Sequence, residues 1–171
     1  MARAIIDQAD RVVNIVDAVH MERDLFLTLQ MIDMEIPLVV ALNMIDEAES
    51  QGLQVDAKLL EQSLGVPVVP TAASQVRVLA VLKSAIPAAR KGTLDPVLLT
   101  KLVSWYGGQA SLRHALLAAE GDDYVAALAG LKPMDAREER YVRRRQRVND
   151  LGSRAAVSAR QRGGAADAPR H

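Results

Sequence analysis

The chain predicts an α/β fold over residues 1–90, with three parallel strands and crossover helices, followed by a small all-α domain over residues 91–152. Three observations carry this. Short β-branched apolar runs alternate with segments of helical period. Each run is apolar along its length, as in a parallel strand covered by helices on both faces. Beyond about Thr93 only helical patterns remain. Residues 153–171, with Gly163-Gly164 and repeated alanines, are expected to form a disordered tail.

The elements follow in order. Arg11 to Asp17 reads as a buried strand, and Glu22 to Met34 as a helix with Leu25, Leu29, Ile32 and Met34 near helical spacing. Pro37 to Leu42 is a second buried strand, opened by a proline that suits only a strand start. Asp56 to Leu64 is a helix with Asp56 as N-cap and Gly65 as its stop. Pro67 to Pro70 is a short third strand. A helix over Val76 to Ile86 ends before Pro87. Strand–helix alternation of this kind implies parallel strands joined by right-handed crossovers. In the second half, Gln109 to Ala119 and Asp122 to Leu131 read as short helices, and Trp105 and Tyr106 as a core anchor. Asp135 to Leu151 is a charged helix with a narrow apolar line of Tyr141, Val148 and Leu151. Its arginines predict a solvated face laced with local ion pairs.

Composition excludes several functions. Lys plus Arg and Asp plus Glu number 21 each, and this zero net charge with few aromatics argues against a nucleic-acid binder. The absence of cysteine excludes a disulfide scaffold, a thiolate metal site and a cysteine nucleophile. Three separated histidines make a histidine metal site unexpected. No apolar run approaches the roughly 20 residues that span a bilayer, and the first residues lack a signal peptide's apolar stretch. The expectation is a soluble, cytoplasmic chain.

Candidate chemistry lies after the strands, where open α/β sheets bind ligands. Asn43-Met-Ile-Asp46 directly follows the second strand. A guanine edge offers two adjacent donors, the ring N–H and the exocyclic amine, and an ionised Asp46 can accept both. Adenine lacks that pair. Asn43 would tie the loop together and reach a ring nitrogen; the plain alternative is a turn that caps the next helix. Thr71-Ala-Ala-Ser74 follows the third strand, and Ala73 there is small enough for its backbone N–H to meet a base carbonyl. After the first strand, Asp17 suits a helix-entry cap and His20 a surface loop.

Three stretches together carry a family resemblance: Val12-Val-Asn-Ile-Val-Asp-Ala18, Glu22-Arg-Asp-Leu-Phe-Leu-Thr-Leu-Gln30 and Ile36-Pro-Leu-Val-Val-Ala-Leu-Asn-Met-Ile-Asp-Glu-Ala48. They resemble the cytoplasmic G domain of the bacterial ferrous-iron transporter FeoB. The likeness continues through Leu64-Gly-Val-Pro-Val-Val-Pro-Thr71. It extends more loosely into Leu116 to Asp122 and Arg137 to Tyr141, covering about residues 4–155. It implies a partial P-loop-NTPase-like G domain and a helical domain joining it to the membrane. It also implies guanine binding by Asn43, Met44, Asp46, Ala72, Ala73 and Ser74. Val76 and Val78 stand where that family's second base loop usually continues with glycines.

The ten glycines include none in a Gly-x-x-x-x-Gly-Lys-Ser/Thr frame, and no Asp-x-x-Gly occurs. Against the family, the chain is therefore expected to be an internal piece, beginning after the phosphate-binding elements and stopping before the bilayer. The resemblance implies GTP or GDP as ligand, bound weakly here, with Mg²⁺ only in the intact parent. No catalytic or metal-ligating residue is assigned, and GTP hydrolysis by this chain alone is not expected. Expected partners are guanine nucleotide and the membrane-spanning remainder of a parent at the bacterial inner membrane. The first strand is expected to present an unpaired apolar edge suited to self-association. The alternative reading is a non-catalytic interaction module, using that edge or the Arg-rich helix.

Overall fold

The computed structural model describes residues 10–72 and 78–158. The chain runs β1 (Val12–Asp17), α1 (Met21–Asp33), β2 (Leu38–Asn43), α2 (Ile45–Ser50), β3 (Leu53–Val55), α3 (Ala57–Leu64), β4 (Val68–Pro70) and α4 (Val78–Ala85). A 3-10 turn, Ile86–Ala88, leads to α5 (Pro96–Tyr106), α6 (Leu112–Ala119), α7 (Asp123–Leu128), α8 (Arg137–Ala155) and β5 (Ala156–Ser158). The main sheet has the order β1-β2-β4, and both pairings are parallel as predicted. Val12 lies opposite Leu38 and Asp17 opposite Asn43, so β1 and β2 end together.

The central strand is buried from Leu38 to Leu42. Leu25, Leu29 and Ile32 of α1 are fully buried with Val16, Val40 and Leu42, each large side chain contributing about 2 kcal/mol of burial. Leu60 and Leu64 of α3 join the same core. The predicted caps of α3 are both present. Asp56 accepts the Leu59 N–H at 3.0 Å, and Gly65 closes the helix at φ 72°. A side chain there would be strained by that angle and would also strike Thr93.

The expectation that every strand is covered on both faces fails for β1. Asn14 and Val16 are buried, but Val13 is 36% and Ile15 64% exposed. Helix α4 packs against β4, and the 3-10 turn against β2. In the helix after β4, Leu79 is 70% exposed. Residues 76 and 77, placed in that helix by the sequence, lie outside the described residues.

A second core gathers Leu98, Leu102 and Tyr106 of α5 with Ala115, Leu116 and Ala119 of α6 and Ala126 of α7. Tyr106 anchors it as expected and donates its hydroxyl to the Lys132 carbonyl at 3.0 Å. Helix α8 joins the first core through its apolar side chains and is tied to the helical half by ion pairs from Arg143 to Asp95 and from Arg140 to Glu120. Val148, Leu151 and Ala155 pack into that first core, so the division at residue 90 does not divide the packing. The solvated helix expected here is also corrected. Arg140 and Arg144 are buried, and Tyr141, placed on the apolar line, is half exposed. Arg144 donates to Asp33 at the end of α1 at 3.2 and 3.3 Å, and Arg140 to Glu120 at 2.8 Å. Burial drives the Asp33 carboxyl upward against the opposing charges of Arg144, Arg147 and Arg140.

Of the residues 153–171 expected to form a tail, 153–158 are ordered in secondary structure, and 159–171 lie outside the described residues. Residues 153–155 complete α8, and β5 pairs antiparallel with β3, Val55 opposite Ala156. The Asp56 N–H donates to the Ala155 carbonyl at 2.9 Å, which fixes the end of α8 against the start of α3. Among the described residues no helix is long and apolar enough to cross a membrane.

Candidate functional site

Strands β2 and β4 end side by side, Leu42 opposite Pro70, and each opens into one of the two loops singled out by sequence. From β2 the chain leaves through Asn43 and turns at Met44, which adopts the left-handed conformation (φ 61°, ψ 35°). Left-handed geometry is uncommon for a residue with a Cβ and costs on the order of 1 kcal/mol. The turn is sharp enough that α2 starts at once, with Asp46 in its first turn. Asp46 is exposed and makes no ion pair with any described residue. Two acids in that first turn, Asp46 and Glu47, suit the positive end of the helix.

Thr71 clamps the two loops together. Its N–H donates to the Leu42 carbonyl at 2.8 Å, and its carbonyl accepts the Ile45 N–H at 3.4 Å. Its buried hydroxyl lies 3.2 Å from Asn43 Oδ1 and 3.3 Å from the Leu42 carbonyl, sharing one proton between two acceptors. Asn43 is held on its other side as well, because its carbonyl accepts the Ala18 N–H at 2.9 Å. Asn43 and Ile45 are thus both bonded to Thr71, the residue that precedes Ala72. Ala73 and Ser74 lie outside the described residues. Thr71 has no role by motif; its one signal in the sequence is a hydroxyl directly after an apolar strand.

The end of β1 supplies a third turn at the same rim. Asp17 accepts the Val19 N–H at 2.8 Å and pairs with His20 Nδ1 at 2.9 Å. Its carboxylate closes a turn rather than capping α1, whose N-cap is His20. Burial opposes ionisation of Asp17, yet hydrogen bonds from the His20 side chain and from the Val19 and His20 amides hold its carboxyl below the ordinary value. The exposed His20 side chain agrees with a surface loop.

A three-stranded parallel sheet with crossover helices, loops converging at its carboxyl rim and a helical continuation define a domain of the G-domain class. Residues 1–86 match the family described as ferrous iron transport protein B. The chain belongs to that family. It is 47% identical over 78 residues to the Fe(2+) transporter FeoB of Salmonella typhimurium, a match covering 46% of this chain and 10% of that protein. The Fe(2+) transporter FeoB of Escherichia coli K12 is 45% identical over the same length. The match spans about a tenth of the length of these curated relatives. Among solved structures, the cytosolic domain of the T. maritima FeoB iron transporter in its GMPPNP form superposes with a TM-score of 0.76 at 25% identity. That alignment covers 92% of this chain and 72% of the other. A mutant NFeoB of S. thermophilus bound to GDP superposes with a TM-score of 0.69 and 28% identity over 91% of this chain and 73% of that one.

Proposed function

We propose that this chain carries the base-recognition half of a guanine-nucleotide site that serves Fe²⁺ uptake by a FeoB transporter. One observation carries the reading: Thr71 joins the Asn43–Asp46 turn to the loop after β4, with the Asp46 carboxylate exposed at the strand ends. An ionised Asp46 accepts the ring N–H and the exocyclic amine of guanine together. Adenine, with no such donor pair, is refused. Asn43, oriented by Thr71, presents its amide to the ring. Met44 flanks the site, and Ala72 to Ser74 form its second wall, where the Ala73 N–H meets the base carbonyl.

The ligand is GDP or GTP. Its phosphates and Mg²⁺ are held by elements of the intact parent, and base contacts alone bind at about millimolar strength, roughly −4 kcal/mol. No catalytic residue is assigned in this chain. The parent's membrane-spanning part is its functional partner, and the chain works on the cytoplasmic side of the bacterial inner membrane.

Titration with GDP and ADP, followed by amide chemical shifts, tests this. GDP should shift the amides of Asn43 to Glu47 and Thr71 to Ser74, ADP should leave them unmoved, and Asp46→Asn should erase the GDP response without altering the fold. Equal responses to both nucleotides, or an unchanged response in Asp46→Asn, would refute guanine selection.

A further inference from the structure

We infer that β5 is a strap that positions the guanine-recognition turn, so that the end of α8 and the Asp46 carboxylate are set by one short ladder. The inference rests on the guanine reading above. Helix α2, which carries Asp46 in its first turn, has little hold of its own on the core. Ala48 is its one buried residue, and Ile45 is only partly buried. At the front of α2 the Ile45 N–H reaches the Thr71 carbonyl at a long 3.4 Å. At the rear, only Gln51 and Gly52 separate α2 from β3, and the Gly52 N–H closes back on the Glu49 carbonyl at 2.9 Å. A shift of β3 therefore passes to α2 within two residues.

Strand β3 is held in turn by β5, and among the described residues it pairs with no other strand. The register sets Leu53 opposite Ser158, Gln54 opposite Val157 and Val55 opposite Ala156. The Asp56 N–H donates to the Ala155 carbonyl at 2.9 Å, and antiparallel alternation makes Gln54 and Val157 the next pair to exchange hydrogen bonds. Leu53, Val55 and Ala156 pack, partly buried, against the first core. Strand β5 continues α8 without a loop, and Val148, Leu151 and Ala155 bury that end of α8 in the same core. At Gly152 a Cβ would stand 2.9 Å from Glu22 Cγ, so α8 is also closely applied to α1 there. The strap thus starts from a buried anchor. It leaves the recognition turn held at both ends of α2, by Thr71 in front and by β5 behind.

Val157→Pro in the full chain tests the strap, because proline removes the N–H given to the Gln54 carbonyl, and Val157→Ala, which keeps that N–H, is the comparison. Each variant is titrated with GDP, followed by the amide shifts of Asn43 to Glu47, and its hydrogen exchange is measured without nucleotide. Val157→Pro should raise the half-saturating GDP concentration about five-fold, the effect of one lost hydrogen bond, and Val157→Ala should leave it near the wild-type value. Exchange at Ala48, Gln51 and Gly52 should quicken in Val157→Pro alone, while the Val40 and Thr71 amides, bonded within the main sheet, keep their protection. An unchanged GDP titration in Val157→Pro overturns the inference. So does a Gln54 amide that stays protected in that variant, or an equal loss of GDP affinity in both variants, since the backbone ladder would then set nothing. A wild-type chain that responds alike to GDP and ADP fails as a guanine site instead. The strap is then decided by exchange without nucleotide: quickened α2 amides in Val157→Pro uphold it, and unchanged ones overturn it.

Discussion

Replacing Asp95 by alanine removes two interactions that one carboxylate makes where α5 meets α8. As the N-cap of α5 it accepts the Val97 N–H at 3.0 Å. From α8, Arg143 donates through Nη2 to Oδ1 at 2.7 Å and through Nε to Oδ2. The Asp95 side chain is 5% exposed and that of Arg143 39%. Loss of the cap costs about 1 kcal/mol. A charge-assisted pair contributes roughly 1.5–3 kcal/mol, and solvent around Arg143 puts this one near the lower figure. The total is about 2.5 kcal/mol, which for a chain of this size lowers Tm by about 5–10 °C. Arg143→Ala keeps the cap and should lose about 1.5 kcal/mol. In that background Asp95→Ala should cost only the cap, about 1 kcal/mol. Thermal and urea unfolding of the wild type, both single variants and the double variant measure all of this. Full additivity, or a fall of less than about 2 °C in Asp95→Ala, would refute the two-role account. Burial works against the charge, but the Arg143 hydrogen bond, the Val97 amide and the charges of Arg143 and Arg147 hold the Asp95 carboxyl below its ordinary 3.8. A depressed folded value means that this stabilisation is present above 3.8 and is lost as pH falls through the folded value. Asp95→Ala should therefore flatten the acid limb of the stability profile.

Thr28→Val removes the acceptor for the buried Asn14 side chain, whose Nδ2 donates to Thr28 Oγ1 at 2.6 Å. Stranding that amide should cost about 1–3 kcal/mol in urea unfolding, and a second change of Asn14 to Val should recover part of it. Gly92→Ala would put a Cβ 2.6 Å from the Leu64 carbonyl oxygen and 2.7 Å from Ile32 Cγ1. One neighbour is backbone, so relief requires a shift of α3 or its loop, and calorimetry should show a loss of about 1–3 kcal/mol.

What could be read from the sequence was local. The strand at Leu38 to Leu42, the Asp56 cap and the Gly65 stop each announce themselves within a few residues, because φ restriction and capping act over one turn. Helix α5 carries such a signal too, Asp95 as N-cap with Pro96 in the first turn. Strands β3 and β5 carried none. Each has three residues, and the pairing joins Val55 to Ala156 across a hundred positions. The arginines of α8 were misread for the same reason. Their acids, Asp33, Asp95 and Glu120, lie far away in sequence, so neither the burial of Arg144 nor its partner could be seen from the helix itself.

Sequence alone determined the alternation of β1, α1, β2, α3 and β4, pointed to Asn43 and Asp46 as candidates, and carried the family resemblance. These depend on periodicity, on side-chain chemistry and on short spacings, all contained within single segments. Tertiary structure decided which face of β1 meets water, that α8 packs into the first core, and that its arginines meet Asp33, Asp95 and Glu120. It also decided that Thr71 holds Asn43 beside the loop after β4. Each of these is a contact between segments brought together only when apolar surface leaves water, and no segment holds that information by itself.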